Sequence, residues 1–175
     1  LLRSGSYVNL GIGMPTLVAN FLFDVDVVLH AENGVLGYGP TREAGAGADP
    51  DLYNAGGQLV VARPGASYFD SVAAFEMARG GHVDTVVLGG FQVDMAGNLA
   101  NWATADAVGG GVGGAMDLVA GGAEVIVMME HVDRSGEPKL RRQCTYPLTG
   151  RGCVSRVVTD LALLRIDDGQ FVVEE

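Results

Sequence analysis

Short apolar runs recur along the chain, most of them closed by glycine or by a polar side chain. Residues 7–10 (Y-V-N-L), 27–29 (V-V-L), 58–62, 83–88 and 124–130 have the shortness and β-branching of buried strands. Two more strands are predicted at 157–166 and 170–173, joined by Asp167-Asp168-Gly169. Helical signals fall between these runs. Pro15 opens a helix reaching about Phe23, at a permitted first-turn position. Asp70 or Ser71 caps a second helix, which ends near Arg79 before Gly80-Gly81. A third piece, 115–120, is barely two turns long. Residues 91–102 read as a hairpin around M-A-G-N at 95–98, while 64–67 and 133–137 read as turns. The polar, glycine-rich stretch 41–57 reads as an irregular excursion. The alternation predicts one α/β domain over 1–175: an open, mostly parallel sheet with antiparallel additions and flanking helices.

The run at 27–29 leads to Glu32, an ionisable side chain set where the strand should stop. Asn33 and Gly34 follow and permit a tight turn. Ligands of open α/β sheets sit beyond the carboxyl ends of the strands. A carboxylate on a strand tip, backed by Gly34, Gly37 and Gly39, therefore faces a reacting group at close range. Alone, E-N-G is most often a solvated turn. Its company along the chain favours the catalytic reading, with Glu32 as the centre.

G-I-G at 11–13 joins the first strand to the Pro15 helix, an arrangement suited to an anion or a carboxyl group, or equally to tight packing. Gly11 and Gly13 are thus candidates for ligand contact. Asn9 either orients Glu32 or a bound carboxylate, or satisfies loop backbone. Gly109, Gly111 and Gly114 spell G-x-G-x-x-G, but no strand leads directly into them, so a dinucleotide site is weakly supported. Such a run of unobstructed N–H groups could instead line an oxyanion or cradle a phosphate. The basic cluster at 139–142 is usually a solvated face; here it is also the densest positive charge for an acidic ligand.

Charge narrows the partners. Eleven basic against 21 acidic residues leave −10, which excludes the basic face that nucleic acid needs. An apolar share of 48% argues against disorder. Glycine, at 27 residues, is about twice its usual share and suggests backbone brought close to a ligand or another chain. Cys144 and Cys153 are too few for a disulfide framework or a zinc ribbon. No membrane span or signal peptide is visible, so a soluble cytoplasmic protein is expected. His30, His82 and His131 lack metal-ligand spacing and read as core or surface, and no metal site is predicted. Phe91 and Trp102 are expected to fill the core, and Cys144 to be a buried apolar thiol. M-E-H at 129–131 reads as structural. The chain opens on L-L-R and stops at V-V-E-E, so both ends are expected to lack a few residues, including a helix leading into residue 1.

Several blocks together resemble the β subunit of class I, succinyl-CoA:3-oxoacid type CoA-transferases. They are N-L-G-I-G-M-P-T at 9–16, E-N-G-V-L-G-Y-G-P at 32–40, P-G-A-S-Y-F-D-S at 64–71 and R-G-G-H-V-D at 79–84. G-N-L-A-N-W at 97–102, G-V-G-G-A-M-D-L-V-A-G at 111–121, M-E-H and C-T-Y-P-L-T-G at 144–150 complete the series. The resemblance implies a CoA-transferase fold, related to that of ribose-phosphate isomerase. It implies Glu32 as covalent nucleophile and Gly113 and Gly114 as oxyanion donors, with Asn9 beside them. Asn33, Gly34, Gly11 and Gly13 are the expected contacts to coenzyme A, which is substrate rather than a permanently bound cofactor. The reaction implied moves CoA from an acyl-CoA such as succinyl-CoA to a 3-oxoacid, through a glutamyl-CoA thioester. An α subunit is the implied partner. The family often carries Lys after N-A-G and basic residues before the G-x-G-G-A-M-D block; here Gly57 and the stretch 105–108 offer no positive charge. An acyl-CoA or ring-cleaving hydrolase and a non-catalytic ligand-sensing module on the same scaffold remain as alternatives.

Overall fold

The computed structural model describes residues 1–43, 45, 49–104 and 111–175. Gly109, Gly110 and the uncharged-to-acidic stretch 105–108 lie outside the described residues. Strands form where the apolar runs predict them. The chain begins with β1 (Tyr7–Leu10), β2 (Val28–Ala31), β3 (Val35–Thr41) and β4 (Val60–Tyr68). Next come α1 (Ser71–Arg79), β5 (Thr85–Gly89), β6 (Gln92–Asp94), β7 (Leu99–Ala100) and α2 (Ala115–Ala120). The last strands are β8 (Glu124–Met128), β9 (Leu140–Arg141), β10 (Val154–Val158), β11 (Leu163–Asp167) and β12 (Gln170–Val173).

Nine strands form one sheet in the order β12-β11-β10-β8-β5-β1-β2-β3-β4. Its centre, β10-β8-β5-β1-β2, is parallel throughout. An antiparallel pair closes each edge, β3 and β4 on one side and β11 and β12 on the other. This is the mostly parallel centre with antiparallel additions expected from the sequence. β7, β6 and β9 make a separate three-stranded sheet.

The period-2 alternation of side chains divides the core between the two faces. Val8, Leu10, Leu29 and Ala31 pack with Val87 on one face, under Ala19 and Leu22. Val86, Leu88, Val125 and Val127 pack on the other face with Ala78 and Leu118 of the two α-helices. Asp70 caps α1 by accepting from Ala73 N at 2.8 Å, as its sequence position predicts. Among the described residues no helix is long and apolar enough to cross a membrane.

Four local expectations need correction. The helix after Gly13 is a 3-10 segment, Met14–Phe21, because Thr16 closes its first turn on the Gly13 carbonyl with both its N–H (3.1 Å) and its Oγ1 (2.7 Å). Residues 64–67 are part of β4 rather than a turn. Pro64 is tolerated there because β4 is an edge strand, and register shifts against β3 absorb Gly65. β3 itself, rich in glycine, carries no apolar run that announces a strand. The predicted strand 157–166 is two, broken at Thr159, whose side chain and backbone bond Ala162 and turn the chain.

Candidate active site

The carboxyl ends of β1, β2, β5 and β8 lie side by side, and a cavity of about 590 Å³ opens beyond them. Gly11 and Ile12 follow β1, Glu32 follows β2, Gly90 follows β5, and Met129 and Glu130 follow β8; all line it. Gly111 to Gly114 border the same space. Close packing explains two of these glycines. A Cβ on Gly90 would stand 2.7 Å from Val127 Cγ1, and one on Gly11 2.9 Å from Leu88 Cδ2. Trp102 is half-buried in the cavity wall and donates its Nε1–H to the Leu148 carbonyl at 3.4 Å.

Strand register brings Asn9 to Glu32. Asn9 pairs with His30 across β1 and β2, and Glu32 lies two residues beyond His30 on the same face. Asn9 and His30 are both fully buried. The Asn9 amide donates from Nδ2 to His30 Nδ1 at 3.0 Å, and the same nitrogen stands 3.3 Å from the His30 carbonyl and from Glu32 Oε2. An acceptor at Nδ1 keeps the His30 ring neutral with its proton on Nε2. The ring stacks on Phe69 with centroids 6.2 Å apart. Glu32 is half-buried and receives a donor whose rotamer is locked from below. Tyr38 is buried nearby; desolvation and then the Glu32 charge hold its phenol well above the ordinary range.

The predicted site residues thus separate into groups. Glu32, Gly11, Gly113 and Gly114 border the cavity, and Asn9 reaches Glu32 from the sheet beneath. The Gly11 N–H is engaged by the Val87 carbonyl at 2.8 Å. Gly13 is exposed, and its carbonyl serves the 3-10 turn. Asn33 donates to the Tyr53 carbonyl at 2.8 Å, and Gly34 is packed against Phe69. Phe91 departs from its expected place in the core: it is 41% exposed on the cavity rim. Cys144 is half-buried, and desolvation, then Asp94, pushes its thiol up to about 12. Among the described residues no group of three His, Cys, Asp or Glu side chains could hold a metal ion.

The family model for coenzyme A transferase matches residues 1–172. The β subunit of the 3-oxoadipate CoA-transferase of Pseudomonas putida is 54% identical over 175 residues, covering 99% of this chain and 82% of that one. The corresponding subunit of the succinyl-CoA:3-ketoacid coenzyme A transferase of Helicobacter pylori is 47% identical, with 99% and 84% covered. The chain belongs to the coenzyme A transferase family. The acyl-CoA transferase YdiF of Escherichia coli O157:H7, solved in a thioester complex with CoA, shares the fold. Its TM-score is 0.73 at 21% identity, over 97% of this chain and 34% of that one.

His30 is the residue of the transferase whose place beside the nucleophile candidate the sequence did not reveal. Its only signal was a polar side chain two residues before Glu32 on an otherwise apolar strand. Burial lowers its pKa, partly offset at the Ala74 backbone, so the folded protein binds this proton less readily than the unfolded chain. Its contribution to stability is therefore complete above about pH 6.5 and lost as pH falls below that value. Thermal unfolding of the transferase should show Tm falling between about pH 7 and pH 5, and His30→Gln should flatten the slope. An unchanged slope in the variant would remove His30 as its source.

Proposed function

We propose that this chain is the nucleophile-bearing subunit of an enzyme that moves CoA from an acyl-CoA to a 3-oxoacid through a glutamyl-CoA thioester. The observation that supports it most is that Glu32, Gly113 and Gly114 border one cavity at the strand tips, with the Asn9 amide 3.3 Å from Glu32 Oε2. The acid class follows the names of the relatives, and their designation as one of two subunit types implies an α subunit as partner.

A Glu32 carboxylate oxygen attacks the carbonyl carbon of the donor thioester; the C–S bond breaks, giving an acyl–glutamyl anhydride and CoA thiolate. The thiolate then attacks the Glu32 carbonyl carbon. The anhydride C–O bond breaks, the donor acid leaves as its carboxylate, and CoA stays in thioester linkage to Glu32. The acceptor carboxylate reverses both steps. No proton moves, so no general base is required. A carboxylate is needed, rather than Ser or Cys, because the nucleophile must itself become an acyl-CoA equivalent.

Each attack places negative charge on a carbonyl oxygen. The Gly113 and Gly114 N–H groups are the donors assigned to it, and one such donor is worth about 3–4 kcal/mol. A Cβ on Gly114 would stand 2.4 Å from the Phe75 ring, so this backbone must stay bare. Asn9 positions Glu32 along the line of attack. In the assembled enzyme, Asn9→Leu should lower kcat by about 10²-fold with little change in the KM for acyl-CoA. A loss confined to KM would contradict the positioning role.

The test of reaction type is acceptor dependence. CoA should leave the donor only when a carboxylate acceptor is present, because without one the enzyme stalls at the glutamyl thioester. Steady CoA release without acceptor would establish a hydrolase, and binding without turnover a sensing module.

A further inference from the structure

A second cavity of about 590 Å³ lies beside the Glu32 cavity, sharing Phe91, Glu130 and Lys139 with it. Its other walls bring in Arg134, Arg141 and Tyr146. The basic cluster is mounted on the small sheet. β9 pairs with β6 through Val93 with Leu140 and Asp94 with Arg141. Leu140 packs into the core, so the alternation of the strand turns Lys139 and Arg141 to the opposite side. Arg134 comes from the tight turn whose ends meet at Val132 and Pro138.

These cations are incompletely matched. Lys139 is half-buried, and among the described residues no carboxylate lies within 4 Å of it. Desolvation lowers its pKa despite the charges of Glu130 and Asp133. Arg141 Nε is buried with no partner among the described residues, and its Nη1 stands 3.6 Å from Glu137, beyond hydrogen-bond distance. Of the carboxylates nearby, Asp133 is engaged by its own turn, accepting from the Ser135 N–H and hydroxyl and from the Glu137 N–H. Glu130 lines the rim shared with the Glu32 cavity. Partly desolvated cations without full partners favour a multivalent anion. On a chain with net charge −10, a local basic pocket also decides where such an anion can approach.

We propose that the second cavity receives the phosphate-bearing nucleotide end of CoA. Arg134, Lys139 and Arg141 meet its phosphates, Phe91 and Tyr146 offer flat faces to the adenine, and the pantetheine arm passes over the shared rim to Glu32. The assignment of CoA as ligand rests on the transfer reading above. The position of the basic groups is what the structure adds.

The test compares acyl-CoA with acyl-pantetheine, which lacks the nucleotide, in the enzyme assembled with its α subunit. Arg134→Ala/Arg141→Ala should lower kcat/KM for acyl-CoA by about 10- to 100-fold, mostly through KM, and leave acyl-pantetheine within about twofold. Equal losses with both donors, or none with either, would overturn the proposal. Calorimetry with phospho-ADP, the nucleotide half of CoA, reads the site without turnover. Wild type and Glu32→Gln should bind it alike, while the double variant should bind at least about tenfold more weakly. Unaltered binding in the double variant would refute the nucleotide site whatever Glu32 does. Arg134→Glu, on an exposed turn, supplies the same readout should the double variant not fold.

Discussion

Glu32→Gln in the assembled enzyme should lower kcat by roughly 10⁴-fold or more, the scale of losing a covalent nucleophile. The substitution is nearly isosteric and keeps an oxygen that the Asn9 amide, 3.3 Å from Oε2, can still meet. What it removes is the anionic oxygen that attacks the donor. Binding of acyl-CoA should change little, because the cavity walls and the basic groups stay in place. A variant retaining even a tenth of wild-type turnover would be incompatible with the mechanism. Reduced binding with kcat intact would make Glu32 a substrate contact instead.

Gly34→Ala should be the most damaging of the small changes to the fold. Gly34 has φ +109°, and a Cβ there would lie 1.9 Å from the Phe69 carbonyl oxygen. Its N–H bonds the Ala31 carbonyl at 3.0 Å, and its own carbonyl accepts from Phe69 N at 3.0 Å. Neither segment can withdraw without breaking the turn that carries Glu32. Overpacking together with left-handed backbone strain should cost about 3 kcal/mol, or roughly 6–12 °C in Tm for a chain of this size. Gly65→Ala separates the two causes. Its φ is +87°, but nothing stands within 4 Å of the added methyl, so about 1 kcal/mol is expected. Equal destabilisation at the two positions would show that packing on Phe69 is irrelevant. Because Phe69 stacks on His30, which holds Asn9, Gly34→Ala should also depress kcat in whatever protein remains folded.

The parallel centre of the sheet was legible because its strands are short apolar runs with abrupt glycine or polar ends, as at Leu10-Gly11 and Leu88-Gly89. α1 was legible from the Asp70 cap and the Gly80-Gly81 stop. Glu32 stood out because a charge at the end of such a run has few structural uses. β3 and β4 were obscured by Gly37, Gly39, Pro64 and Gly65, residues that normally end strands and are here accommodated by register shifts. The Asn9–His30–Glu32 contact could not be read locally, since it depends on the pairing of β1 with β2, 21 residues apart for Asn9 and His30. The orientation of Lys139 and Arg141 depends likewise on β9 joining β6. Phe91 misleads for the opposite reason: an aromatic after two glycines suggests core, yet the glycines let the strand end at an open rim.

One measurement bears most directly on the thioester. The assembled enzyme is mixed with acyl-CoA and no acceptor, quenched, and digested, and the peptide containing Glu32 is examined by mass spectrometry. The peptide should carry CoA on the Glu32 carboxyl, and borohydride treatment before digestion should convert that side chain to the alcohol. A Glu32 peptide without modification, from enzyme that turns over normally once acceptor is added, would contradict the account.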